Sequence, residues 1–193
     1  MEKILNLISL SYNEKESENY ANFKPKENEI NTLIKAAKEA LSIFPNIPGA
    51  CVPLSSLLAS LIRDNTDYPI HAIAGSLYIN NEKVFHNESD DFKALFKKTN
   101  LDWDGHCWII FGNYLCDISI CRTAYSNFSP IMLKNKILST MGEGKGIFIY
   151  PIDKLLDDGF NFIPKYVLTD EEITIGFNSA RYLINQKMWA FSK

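Results

Sequence analysis

The chain has 193 residues, 46% of them apolar, and a formal net charge of −3, with an isoelectric point near 5.6. That length suits one compact domain over residues 1–193, with enough chain to bury a substantial core. The even mix of charges holds no basic stripe, so nucleic acid is not an expected partner, and Lys97-Lys98 reads as a solvated helix end.

Met1 to Leu10 is apolar at Ile4, Leu5, Leu7, Ile8 and Leu10 but broken by Asn6 and Ser9. It carries no small-residue cleavage site and is too short to span a bilayer, so no membrane association is expected. The segment reads as an amphipathic helix or strand packed on the domain, and a cytoplasmic address is the default. Asn13 to Glu29 is polar and charged, with Lys24-Pro25-Lys26, and reads as a surface connection. Ile30, Leu33, Ile34, Ala37 and Leu41 then recur at helical spacing and stop before Pro45. The turn Asn46-Ile47-Pro48-Gly49 leads into a second helix starting around Cys51 to Pro53, with Leu54, Leu57, Leu58, Leu61 and Ile62 on its buried face.

From Ile70 the period changes. Ile70 to Ile79 and Lys83 to Phe85 read as strands joined across Asn80-Asn81, and Asp90 to Lys98 as a short helix. His106 to Ser119 reads as two strands joined at Gly112-Asn113, a favoured two-residue turn. Gly146 to Tyr150 and Tyr166 to Leu168 are further strands. Thr169-Asp170-Glu171-Glu172 is a capping-box pattern that opens a last helix to about Asn185. Helices followed by an antiparallel meander imply an α+β domain. Gly142-Glu143-Gly144-Lys145-Gly146 lacks the Ser or Thr and the spacing of a phosphate-binding loop and reads as a plain loop. Asp102 and Asp104 flank Trp103 in a solvated turn or substrate rim.

The hairpin turn sets a register that bears on chemistry. Phe111 faces Tyr114 and Trp108 faces Asp117, so His106, Trp108 and Asp117 share one face. His106 and Asp117 are then diagonal neighbours, roughly 7 Å apart at the backbone and within side-chain reach. A carboxylate placed there fixes the imidazole tautomer and stabilises its charged form. Cys107, Ile109, Phe111, Tyr114, Cys116 and Ile118 take the opposite, packed face. His106 therefore points away from Cys107 and Cys116, and the four cysteines (51, 107, 116 and 121) read as reduced thiols with no metal site implied. Cys51 alone is placed at a helix start, where unpaired N–H groups and the helix dipole favour a thiolate and can receive an oxyanion. The structural alternative is a small buried cysteine at a tight helix start. His71 and His86 have no evident partner and read as structural or surface residues.

The ordered set Gly49-Ala50-Cys51, a leucine-rich helix, Pro69 to Gly75, Gly105-His106-Cys107-Trp108 and Asp117-Ile118-Ser119 resembles the core of transglutaminase-like proteins and small bacterial families of the cysteine-proteinase fold. The resemblance covers about residues 46–123. It implies N-terminal helices with the nucleophile helix packed on an antiparallel sheet, Cys51 as nucleophile, His106 as base and Asp117 as orienting acid. Trp108 reads either as a site-lining ring over the His106–Asp117 pair or, equally, as a buried core tryptophan. His71 stands where such sequences often carry Arg. The glutamine that papain-like enzymes place before the cysteine is absent, and Asn46 is the nearest candidate for a second oxyanion donor. The Gly112 to Ile118 stretch is also similar to arylamine N-acetyltransferases, although the Arg-Gly-Gly lead-in to their cysteine is missing. These likenesses imply a thiol enzyme acting on an amide or acyl bond (peptidase, amidase, deamidase, transglutaminase or acyltransferase). Its substrate is a peptide, a protein or a small amide or acyl compound, and no cofactor is required. The alternative from a different class is a non-catalytic binding module on the same fold.

Overall fold

The computed structural model describes residues 1–88, 91–96, 103–144 and 146–190. Four helices come first: α1 (Glu2–Ser11), α2 (Glu14–Asn22), α3 (Glu27–Ile43) and α4 (Cys51–Arg63). Strands β1 (Ile70–Ile79) and β2 (Glu82–Phe85), the short helix α5 (Phe92–Phe96), and strands β3 (His106–Phe111) and β4 (Tyr114–Asp117) follow. Helices α6 (Ile120–Ala124) and α7 (Ile131–Met141), strands β5 (Phe148–Pro151) and β6 (Phe160–Val167), and helix α8 (Asp170–Ala190) complete the α+β chain. Among the described residues, no helix is long and apolar enough to cross a membrane.

The sheet is antiparallel throughout and organised on β1, which is buried along almost its whole length. Ile73 to Gly75 pair with both β3 and β6, and Leu77 to Ile79 pair with both β2 and β6. Since a strand has only two edges, β2 and β3 lie end to end on one edge of β1, with β6 along the other. Phe85 faces Leu77 and His106 faces Gly75, two residues apart on β1. In effect one long strand opposite β1 is interrupted by residues 86–105. β4 pairs with β3 and β5 with β4. The sheet curls until the Phe148 ring of β5 lies 5.0 Å from the Phe160 ring of β6.

Each face of the sheet has its own core. Alternate residues Ile70, Ala72, Ala74, Cys107, Ile109, Phe111 and Cys116 pack against Leu54, Leu57, Leu58 and Ile62 of α4 and the buried side of α3. Ile73, Leu77, Ile79, Trp108, Ile110 and Leu115 fill the inside of the curl with Ile8 of α1 and Leu133 and Ile137 of α7. Hairpin chemistry supports this arrangement. Asn80 and Asn81 both have positive φ (49° and 67°), as a type I′ turn requires, whereas of Gly112 and Asn113 only the glycine does (58°), as in a type II′ turn.

The stretch Asn13 to Glu29 is not a surface connection. Asn13 caps α2 by accepting from the Glu16 N–H at 2.9 Å, and the one large apolar body of α2, Tyr20, is fully buried. Its hydroxyl donates to the Gly112 carbonyl at 2.5 Å, tying α2 to the β3–β4 turn. A helix with a single buried aromatic leaves no apolar periodicity to read, which hides it in the sequence. Other boundaries move outward or inward. β6 begins at Phe160 rather than Tyr166, β5 runs from Phe148 to Pro151, β4 ends at Asp117, and α8 extends to Ala190. The ends expected for the helix at Asp90 to Lys98, along with Asp102 and Lys145, lie outside the described residues.

α8 packs along α4, and Gly176 is where the two helices come closest. A Cβ at Gly176 would lie 2.1 Å from Ser56 Oγ and 2.7 Å from Ser56 Cβ, on the helix that begins with Cys51. Gly176→Ala is therefore expected to force the helices apart and lower stability by about 1–3 kcal/mol, read from the urea unfolding midpoint.

Candidate active site

α4 is positioned by the turn before it. Gly49 holds φ +72°, a left-handed conformation that a side chain would strain, and Ala50 is the N-cap residue. The first intrahelical bond from a described cap runs from Leu54 N–H to the Ala50 carbonyl at 3.0 Å. Pro53 has no N–H, so the first turn offers the N–H groups of Cys51 and Val52. Cys51 is 7% exposed and lines an open cleft of about 1490 Å³ together with His106, Val52, Phe85, His86 and Thr123.

His106 begins β3, and the hairpin register through Ile109↔Cys116 carries it toward Asp117. Its Nε2 lies 2.5 Å from Asp117 Oδ2, and both side chains are almost wholly buried. Cys51 lies close enough to His106 to favour its charged ring, and with Nε2 on Asp117 the ring nitrogen left over is Nδ1. Asp117 Oδ1 accepts from Ser119 N–H at 2.9 Å, Ser119 Oγ at 2.8 Å and Ile120 N–H at 3.0 Å. The carboxylate is thus anchored at the start of α6, so its orientation does not depend on the histidine alone.

Aromatic rings enclose the imidazole. Phe85 stacks on it at 4.8 Å with an 18° interplanar angle, Trp108 lies at 6.1 Å, and Phe162 at 6.1 Å. Trp108 itself sits behind His106 in the core of the curl, edge-on to Phe162, and does not line the cleft. The tip of its ring approaches β1 so closely that a Cβ at Gly75 would meet it at 2.7 Å and the Ile163 carbonyl at 2.1 Å. Phe85 has no distinguishing mark in the sequence. The signal that could have found it is the pairing of β2 and β3 on one edge of β1, which puts Phe85 and His106 on the same face.

Burial disfavours a charged His106, but the adjacent Asp117 carboxylate and its hydrogen bond outweigh it, with Cys51 adding to the effect. The imidazolium is held to about pH 10. Burial pushes the other thiols the opposite way. Cys107 and Cys116 are raised well above the ordinary range, and Cys121 to about 12, so these three are neutral thiols near pH 7. No disulfide joins the four cysteines. Among the described residues, no group of three or more His, Cys, Asp or Glu side chains is placed to hold a metal ion.

Asn46 is exposed in the turn before α4 and is not among the cleft-lining residues. Neither remaining histidine is a lone surface group. His71 is fully buried, with Nε2 3.3 Å from Glu16 Oε1 but out of line for a hydrogen bond, and the Tyr12 and Tyr20 rings pack edge-on against it. Burial holds its pKa below the usual 6.5. His86 lines the cleft, and Tyr78 Oη lies 2.8 Å from its Nδ1. Against this geometry, no family model, no curated protein and no solved structure matches the chain.

The charged state of His106 has a stability consequence. Its folded-state value lies above the ordinary 6.5, so the charged ring contributes stability in full below pH 6.5, and the contribution fades as pH rises toward 10. In Asp117→Asn the burial penalty is no longer opposed by a carboxylate. Ring-nitrogen NMR shifts should report imidazolium at pH 7 in the wild type and neutral imidazole in the variant.

Proposed function

We propose that the chain is a thiol-dependent enzyme acting on an amide or acyl bond, on a fold of the cysteine-proteinase or transglutaminase-like kind. The observation that carries this reading is the position of His106. One ring nitrogen is on the buried Asp117 carboxylate, Cys51 lies beside the ring, and both residues line one cleft. Asp117 accepts from Nε2–H and keeps the ring in its charged form, so the proton given up by Cys51 already resides on Nδ1. The thiolate sulfur then attacks the substrate carbonyl carbon, forming a C–S bond, and the carbonyl oxygen gathers charge beside the Cys51 and Val52 N–H groups. Collapse breaks the C–N bond, His106 delivers its proton to the departing nitrogen, and a thioester remains on Cys51. Water or an amine, deprotonated by His106, attacks the thioester and releases Cys51. Water gives hydrolysis and an amine gives transfer.

Three thiols held neutral by burial and one thiol in contact with an imidazole make the reading selective. Iodoacetamide at pH 7 is expected to modify Cys51 first, as located by peptide mass spectrometry, and His106→Ala is expected to slow that modification. Cys51→Ser is expected to keep the fold and lower turnover at least ~100-fold, assayed on a panel of acyl and peptidyl amides with and without an amine acceptor. Cys107→Ser and Cys116→Ser place a hydroxyl in the packed core. They are expected to cost roughly 1–3 kcal/mol in stability while retaining activity per folded molecule. Normal turnover in Cys51→Ser would exclude Cys51 as the nucleophile.

A further inference from the structure

We infer that the cleft takes a polypeptide segment in extended form, laid along the outer edge of β2, with a bulky apolar side chain gripped at the opposite rim; this rests on the thiol-enzyme reading above. The starting point is the interrupted strand. β4 pairs with β3 at Ile109 to Phe111 and then turns into α6 after Asp117. Among the described residues, no strand continues it beside β2, which stands at the end of the sheet. The place a neighbouring strand would occupy is the cleft itself, lined by Lys83, Val84, Phe85 and His86 on one side and by Cys51 and His106 at its floor.

The edge has hydrogen-bonding capacity to offer. In a two-residue hairpin the residues flanking the turn, here Ile79 and Glu82, form a hydrogen-bonded pair. The next residue, Lys83, therefore turns its N–H and carbonyl away from β1, toward the open edge. β2 is only four residues long and carries a register shift opposite Leu77 and Tyr78, with Glu82 and Lys83 exposed. These features guard against open-ended pairing between sheets. They confine strand addition to a few residues ending beside Phe85, whose ring covers His106. A peptide added there runs directly past the candidate catalytic pair.

The far rim supplies side-chain recognition. Phe128, in the connection between α6 and α7, is 88% exposed, and Tyr182 and Ile175 of α8 are 63% and 43% exposed, all on the cleft. Large apolar groups left in water around one depression mark a contact surface. The depression also exceeds the about 300–1,000 Å³ typical of small-molecule sites. An extended chain satisfies both walls, with main-chain bonds to the edge and alternate side chains reaching the apolar rim.

The test uses vinyl sulfone probes that capture Cys51, with labelling rates read by intact-mass spectrometry on the full chain. An acetyl-Leu-Thr-Leu-Phe vinyl sulfone is expected to label at least ~10-fold faster than acetyl-Phe vinyl sulfone. N-methylation at alternate backbone nitrogens of the longer probe is expected to remove that gain. Lys83→Pro, which deletes the outward N–H on an edge strand that tolerates proline, is expected to remove it too, with folding checked by circular dichroism. Replacing the probe's Phe by Ser should cost labelling in the wild type and much less in Phe128→Ser. Iodoacetamide separates the two readings. If it modifies Cys51 rapidly and in a His106-dependent way while long, short and N-methylated probes react alike, the edge-docking inference is overturned and the thiol reading stands. If Cys51 reacts no faster than an ordinary thiol and His106→Ala changes nothing, the thiol reading itself fails.

Discussion

Burying a carboxylate beside an imidazole is expensive unless every lone pair finds a donor, and the region around Asp117 is arranged to meet that demand. Asp117 is the last residue of β4, and the chain bends at once into α6 so that two N–H groups and the Ser119 hydroxyl converge on Oδ1 while His106 takes Oδ2. The tight type II′ turn at Gly112-Asn113 sets the register that brings His106 back to this carboxylate. Tyr20 of α2 and Pro25 of the connection between α2 and α3 then close over that turn. The need to satisfy Asp117 thus accounts for the early end of β4, and Ile120, Cys121 and Ala124 in the core hold α6 where its first N–H groups can do so.

The same pair explains why the imidazole is surrounded by rings. An exposed His106 would share its charge with water and lose the coupling to Asp117 that holds it protonated. Phe85, Trp108 and Phe162 exclude solvent on its flanks while leaving the side toward Cys51 open. α8 contributes from a distance. Gly176 lets it lie against Ser56 and Val52, so the wall of the cleft is held directly against the helix that presents Cys51.

Much of this was legible in the sequence where local rules act alone. The hairpin could be read because Gly-Asn selects a two-residue turn and side chains alternate. That places His106 with Asp117 and sends Cys107 and Cys116 to the other core. The start of α4 could be read because proline is tolerated only in a first turn, and the start of α8 because Thr169 and Glu172 cap each other reciprocally. What stayed hidden depends on partners far away in the chain. α2 is polar on most of its surface, and the Tyr20 hydroxyl that ties it to the β3–β4 turn is 92 residues from its acceptor. β6 begins earlier than its alternation suggests because both of its ends pair with β1, an edge that no local pattern reveals. His71 and His86 acquire partners only once α2 and β2 are in place, and Phe85 reaches His106 only because β2 and β3 share an edge.

That shared edge separates two kinds of sequence change. The excursion over residues 86–105 leaves the sheet opposite Leu77 and returns opposite Gly75, so its two attachment points are fixed by β1 and lie close together. A chain whose ends are already held together accepts added or deleted residues at a cost that grows only slowly with length. Residues entering or leaving this excursion reshape one wall of the cleft while the β3–β4 register, set independently by its own turn, stays where it is. The fold thus holds the His106–Asp117 pair on one piece of chain and one wall of the cleft on another, and the second can be rewritten without disturbing the first.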